Sequence, residues 1–208
     1  MSQASRTEPQ FMSNASLSRW ASKAALLLGT ALALLSLWIS WDAVIDDALI
    51  SLRYARNFVD GHGLVFNLGE YVEGYTNLGQ VLAIIGLRYV GFDYLFAARL
   101  LGVAGGIAAV YFGPAAILPD RRGQRVERAV ARLLLLSNFF FVYMCWTGLE
   151  TGLYIGVLCL AAWCFKRGGD RMDAVTGMLA GLLFVIRPDG ALYGLVFLGF
   201  TLHAHGLR

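Results

Sequence analysis

The uncharged run from Ala24 to Trp41 limits what this chain can fold into. Its eighteen residues, at 1.5 Å each, make a helix of roughly 27 Å, enough to cross a bilayer. Arg19 and Lys23 precede the run, and Trp38-Ile39-Ser40-Trp41 closes it. A signal peptidase needs small residues where these bulky ones stand, so the segment reads as an uncleaved anchor. Two tryptophans suit its far interface. Residues 1–23 are polar and rich in Ser and Ala, which predicts a flexible cytoplasmic tail.

The remainder of the chain, residues 24–208, reads as one all-α polytopic transmembrane domain. Its sequence is 58% hydrophobic and 15% charged, against about 45–50% and about 25% for a soluble domain. The formal charge of +3 is small and gives no reason to expect a nucleic-acid partner. Cys145, Cys159 and Cys164 lie in or beside apolar runs without CxxC spacing, and read as small core residues.

Arginine predicts the orientation. Arg121, Arg122, Arg125, Arg128 and Arg132 oppose only Asp120 and Glu127, and the stretch from Lys166 to Arg171 is basic as well. Both belong in the cytoplasm by the positive-inside rule. Residues 42–77 carry six acids against two arginines and form the expected first outer loop, with short juxtamembrane helices. Leu133 to Trp146 and Ala174 to Ile186 then run outward, while Leu149 to Phe165 and Ala191 to Leu202 run inward. Between Asn77 and Pro119 the expectation is a short or re-entrant helix, Leu78 to Leu87, followed by a full crossing, Leu100 to Leu118. This layout brings Asp46-Asp47, Thr147-Gly148-Leu149-Glu150 and Arg187-Pro188-Asp189-Gly190 to the outer side together.

Adjacent acids at the mouth of a membrane helix invite a functional reading, because charge beside lipid is costly. The plainer alternative is a solvated helix cap. On a helix, Asp46 and Asp47 point about 100° apart, while Asp46 aligns with Arg53 and Asp47 with Tyr54. One carboxylate is therefore expected to face a site. A partly dehydrated carboxylate suits a general base and an arginine fork suits phosphate, although a structural Asp46–Arg53 pair fits the same spacing. Glu73-Gly74-Tyr75-Thr76-Asn77 has the planar polar groups and the ring that bind sugars, but equally the composition of a loop ending in an Asn cap. Gly61-His62-Gly63 reads as a turn. Glu150 can be a dipole cap, and Arg187-Pro188-Asp189-Gly190 only a turn. His203 and His205 read as interfacial.

Taken in order, these pieces resemble a known family. Asp46-Asp47-Ala-Leu-Ile-Ser-Leu-Arg53-Tyr54-Ala-Arg56-Asn57, then Gly61-His62-Gly63-Leu-Val-Phe-Asn67-Leu-Gly69-Glu70, then Val72-Glu73-Gly74-Tyr75-Thr76-Asn77 are similar to the N-terminal signature of GT-C-fold membrane glycosyltransferases. The branch is that of the terminal arabinofuranosyltransferases, and the later motifs at Thr147 and Arg187 follow in family order. The resemblance implies inverting transfer of a sugar from a polyprenyl-phosphate donor to a glycan, lipid or protein acceptor of the envelope, on the outer face of the cytoplasmic membrane. It assigns the base to Asp46 or Asp47 and the donor phosphate to Arg53 and Arg187. Sugar or acceptor contacts fall to Glu73, Tyr75, Asn77 and Glu150. A divalent metal serves some members and not others, and the sequence does not decide.

Two departures stand out. Leu78-Gly79-Gln80 replaces bulkier apolar or aromatic residues of relatives, and the chain has the extent of only the N-terminal part of a typical member. The sequence thus also accommodates a fragment, or one half of a split enzyme whose C-terminal half is separately encoded. The alternative to the glycosyltransferase reading is a non-catalytic truncated relative that serves as membrane scaffold or partner subunit. A proton-relaying transporter would need acids near mid-membrane, whereas here they gather at one face.

Overall fold

The computed structural model describes residues 14–119 and 124–205, which form nine helices and no strand. The all-α class is as composition predicts. Arg121 and Arg122 of the expected basic loop lie outside the described residues, as does residue 1 through residue 13 of the tail.

The first helix, α1 (Asn14–Ile39), begins well before Ala24, so the predicted tail is helical over its last part. Ser22, Ser36 and Ser40 hydroxyls donate to the carbonyls four residues earlier at 2.7–2.9 Å. Small polar side chains are thereby satisfied within the helix, as an apolar surrounding requires. Leu27, Leu34 and Trp38 stay exposed, as on a helix facing lipid.

After a short turn comes α2 (Asp46–Val59), whose buried residues Ala48, Ser51, Tyr54 and Ala55 recur three or four apart on one stripe. That stripe meets Val81, Ile84 and Ile85 of α3 (Leu78–Tyr89) and Ala97 and Ala98 of α4 (Tyr94–Ile117). Twelve residues give α3 a length of about 18 Å, short of a roughly 30 Å hydrocarbon core. The short helix expected there is present.

Helix α4 starts at Tyr94 rather than Leu100, because the Asp93 carboxylate accepts from the Leu95 and Phe96 amides and caps it. Arg99 therefore sits within the helix, not in a connection. Its Nη2 donates to the Trp41 and Ala43 carbonyls at 3.0 and 3.1 Å, and its guanidinium lies 4.5 Å from the Trp146 ring. The Trp146 indole also donates to the Trp41 carbonyl. One clasp thus ties the end of α1 to α4 and α6.

The run Leu133 to Trp146 is not one helix. It is divided into the end of α5 (Arg125–Ser137) and α6 (Phe139–Trp146), bent by 63°. Asn138 causes the break: its side chain accepts from the Phe141 amide, capping a new helix. The arginines expected in a loop, Arg125, Arg128 and Arg132, instead share one face of α5.

Three antiparallel helices complete the fold: α7 (Thr151–Arg167), α8 (Asp170–Ile186) and α9 (Gly190–His205). Helix α4 packs along α7, α1 along α5, and α8 lies against both α7 and α9. The α4–α7 approach depends on glycine, since a Cβ on Gly105 would strike the Gly152 backbone and one on Gly156 the Gly105 backbone. Cys145 and Cys164 are buried and Cys159 half-buried, as core residues. Among the described residues, α1 and α4 are long and apolar enough to cross a membrane, and α5 with α6 makes a third such segment if counted as one bent span.

Candidate active site

Four helix ends meet at one end of the bundle. The N-termini of α2, α3 and α7 converge with the C-terminal end of α8, where Arg187 precedes Pro188. Proline disfavours helix in the residue before it, and Arg187 is extended, with φ −151° and ψ 135°. The backbone thus leaves α8 where its arginine is needed.

A cavity of about 300 Å³ lies among these ends, lined by Asp47, Ile50, Ser51, Tyr75, Asn77, Glu150 and Arg187. Asn77 is the hub. Its Nδ2 lies 2.8 Å from Ser51 Oγ, 2.9 Å from Gln80 Oε1 and 3.0 Å from Glu150 Oε2. The Ser51 hydroxyl donates to its Oδ1 at 3.1 Å. An amide has two hydrogens and one carbonyl, so three acceptors share the two hydrogens while Ser51 meets the carbonyl. Gln80 in turn donates to the Gly148 carbonyl at 2.8 Å. Asn77, Gln80 and Ser51 are buried, and this closed polarity makes that burial tolerable.

Glu150 is held on both oxygens. Asn77 donates to Oε2, while Arg187 Nη1 lies 3.4 Å from Oε1, and the carboxylate side chain is only 12% exposed. Arg187 Nε also meets Asp189 at 3.1 Å, and its guanidinium lies 5.5 Å from the Tyr154 ring centre. Nη2 has no partner among the described residues. Asp47 differs from Glu150: it is exposed at the cavity wall and no described residue pairs with it. Three helix N-termini add partial positive charge, which favours anions here beyond what Arg187 supplies alone.

Tyr54 supports the loop above. Its hydroxyl donates to the Val72 carbonyl at 2.7 Å and accepts from the Gly74 amide at 2.9 Å. The ring meets Tyr75 edge-on at 4.7 Å. Burial, then the Glu73 carboxylate, then Tyr54 push the Tyr75 phenol above its ordinary pKa. Gly79 sets the α3–α8 crossing, because its Cβ would lie 3.1 Å from the Val185 and Ile186 backbone.

Of the residues singled out in the sequence, Asp47, Tyr75, Asn77, Glu150 and Arg187 come together. Asp46 is exposed and lines no cavity described here, and Glu73 is exposed beside Tyr75. Neither acid of the pair is buried, which agrees with the solvated helix start and not with a partly dehydrated carboxylate. Arg53 is elsewhere. Among the described residues it forms no ion pair with Asp46, because seven positions separate the two by about 10.5 Å along the axis. Its Nε donates to the Phe66 carbonyl at 2.8 Å, Nη2 lies 3.4 Å from Asn67, and the guanidinium covers the Phe66 ring. It faces a second cavity, of about 660 Å³, shared with Leu52, Arg56, Asn57, Asp60, His62, Leu68, Asp93, Tyr94 and Leu95.

Ser51 and Gln80 escaped the sequence reading. Gln80 had a signal, as the lone amide side chain in the apolar run Leu78 to Leu87. Among the described residues no group of three or more His, Cys, Asp or Glu side chains could hold a metal ion.

Comparison with known proteins fits the motifs. The chain is 30% identical over 194 residues to the terminal beta-(1->2)-arabinofuranosyltransferase of Mycobacterium tuberculosis, covering 79% of this chain and 29% of that protein. It is 29% identical over 188 residues to the protein of the same name from Corynebacterium glutamicum, covering 76% and 27%. It thus spans less than a third of the length of these curated relatives. The resemblance to the terminal arabinofuranosyltransferase branch is borne out by both. No family model matches the chain, and no solved structure does.

Proposed function

We propose that this chain is a membrane glycosyltransferase, or the catalytic part of one. It moves a sugar from a polyprenyl-phosphate donor to an envelope acceptor on the outer face of the cytoplasmic membrane. The observation that carries this reading is the contrast between two carboxylates on one cavity: Glu150 is held by Asn77 and Arg187, while Asp47 is exposed and has no partner among the described residues.

In the proposed reaction Asp47 takes the proton of an acceptor hydroxyl. The acceptor oxygen bonds to the anomeric carbon from the side opposite the phosphate. The bond from that carbon to the phosphate oxygen breaks, and polyprenyl phosphate leaves with the electron pair. Arg187, aided by the N-termini of α2, α3 and α7, faces the charge that develops on it. Glu150 touches neither proton nor leaving group in this scheme. It positions Arg187, and Asn77 positions Glu150. Tyr75 and Ser51 border the space left for the sugar. The relatives' names make an arabinofuranosyl group the first donor sugar to test.

The chain carries the motifs on one end of its bundle, and arginine in α5 and at the α7–α8 turn favours a cytoplasmic placement for the opposite end. The test is transfer of radiolabelled arabinofuranose from its polyprenyl-phosphate carrier in membranes of cells making the chain. Asp47→Asn keeps the shape and removes the base, so transfer should fall about 10²–10⁴ fold. Asp46→Asn should weaken it far less. Parent-level transfer by Asp47→Asn would overturn the assignment and leave a scaffold role.

A further inference from the structure

The second cavity, on the other side of α2, remains unassigned. The catalytic reading places no group there, yet it is the larger of the two described, at about 660 Å³. That volume lies within the range of about 300–1,000 Å³ usual for ligand sites.

Its walls are polar and partly rigid. Arg53 is fixed by the Phe66 carbonyl, Asn67 and the Phe66 ring, which leaves Nη1 without a described partner. Asn57 spends its Nδ2 on the Val65 and Phe66 carbonyls at 2.8 and 3.0 Å, leaving its side-chain Oδ1 for another donor. Arg56 touches Asp60 only through Nε, at 3.7 Å, and no described residue bonds the His62 ring. Planar donors and acceptors are thus held ready along one wall, with the Tyr94 ring beside them.

Charge selects the ligand class. Arg53 and Arg56 are matched by Asp60 and Asp93, so with His62 counted neutral the lining has no net charge. A phosphate site would keep its arginines unopposed. A neutral polyhydroxylated ligand instead exploits donors and acceptors in equal measure. We propose that this cavity binds the saccharide portion of the acceptor, away from the residue that carries the reacting hydroxyl. This rests on the glycosyltransferase reading above. Six positions along α2, about 9 Å, separate Asp47 from Arg53, a distance an oligosaccharide can bridge around the helix.

The test is binding without donor. The full chain, purified in detergent micelles, is titrated with a neutral linear arabino-oligosaccharide and followed by saturation-transfer NMR. The variant Arg56→Gln/His62→Ala alters two exposed side chains and leaves the built-in Arg53 and Asn57 alone. It should weaken binding at least tenfold. Arg167→Gln, at the other end of α7, should bind as the parent does. Inorganic phosphate should not compete.

No binding by the parent, equal binding by the double variant, or displacement by phosphate would each overturn the proposal, the last by making this an anion site. Because no transfer is measured, the two readings fail separately. Loss of transfer in Asp47→Asn with no oligosaccharide binding by the parent would sink this inference alone. Oligosaccharide binding with unaltered transfer in Asp47→Asn would sink the catalytic assignment alone.

Discussion

The amide of Asn77 donates to the carboxylate of Glu150 over 3.0 Å, joining two motifs that lie 73 positions apart in the chain. Through that bond the first loop fixes the residue that holds Arg187. Replacing Asn77 by Asp sets a second carboxylate against Glu150 and removes both amide hydrogens. Stability should fall by about 1–3 kcal/mol, the cost of unpaired buried polar groups. Thermal unfolding in micelles, followed by tryptophan fluorescence, measures it. An unchanged midpoint would mean that this network contributes nothing.

In the proposed reaction Arg187 presents a fork to the donor phosphate, where lysine would present a point charge. Arg187→Lys should raise the donor KM about ten- to a hundredfold, the loss of one charge-assisted hydrogen bond at about 1.5–3 kcal/mol. Glu150→Gln should act in the same direction through misplacement of Arg187, and the acceptor KM should hold steady in both. A rise confined to acceptor KM would contradict the division of roles.

Gly79 lies where α3 meets the backbone of α8, within 3.1 Å of a would-be Cβ. Gly79→Leu should destabilise by about 1–3 kcal/mol, as overpacking does. It should also depress transfer, because Ile186 and Arg187 move together. Retention of both properties would show that α3 and α8 can part without consequence.

Tyr75 titrates above its ordinary value because burial and then Glu73 disfavour the phenolate. The folded state therefore keeps its proton at pH values where the unfolded chain has begun to lose it. The resulting stabilisation is complete below the unfolded pKa and declines as pH rises through the folded one. Tyr75→Phe should flatten this alkaline decline in unfolding midpoint while leaving the neutral region similar. An alkaline decline identical in parent and variant would assign it to other groups.

Topology is tested best at exposed positions rather than at the buried Gly148 and Gly190. With an impermeant thiol reagent on intact cells, Asp60→Cys should label and Arg171→Cys should not. The reverse pattern would place the Asp47 cavity in the cytoplasm.

The helices were legible wherever an apolar run ended in a breaker or a charge, as at Asp46, Asn77, Gly168 and Pro188. They were not legible where a polar side chain acted locally. Asn138 splits a continuous apolar stretch because it caps, and Asp93 lengthens α4 backwards for the same reason. Both are hydrogen bonds that hydrophobic periodicity does not register. Within the site, spacing along α2 separated Asp46 from Asp47 correctly. It also aligned Arg53 with Asp46, but sharing a face over two turns is not contact. Ser51 and Gln80 matter through partners distant in sequence, and no local pattern announces those.

The clasp on Trp41 also bears on the order of events during synthesis. Its two donors, Arg99 and Trp146, follow it by 58 and 105 residues. At about 5–20 residues per second, a ribosome needs roughly 5–20 s to supply the second of them. Arg99 is made first and can close one half of the clasp, while the other half stays open until Trp146 follows. A chaperone or insertase that shelters nascent helices would have a task there until Trp146 is made.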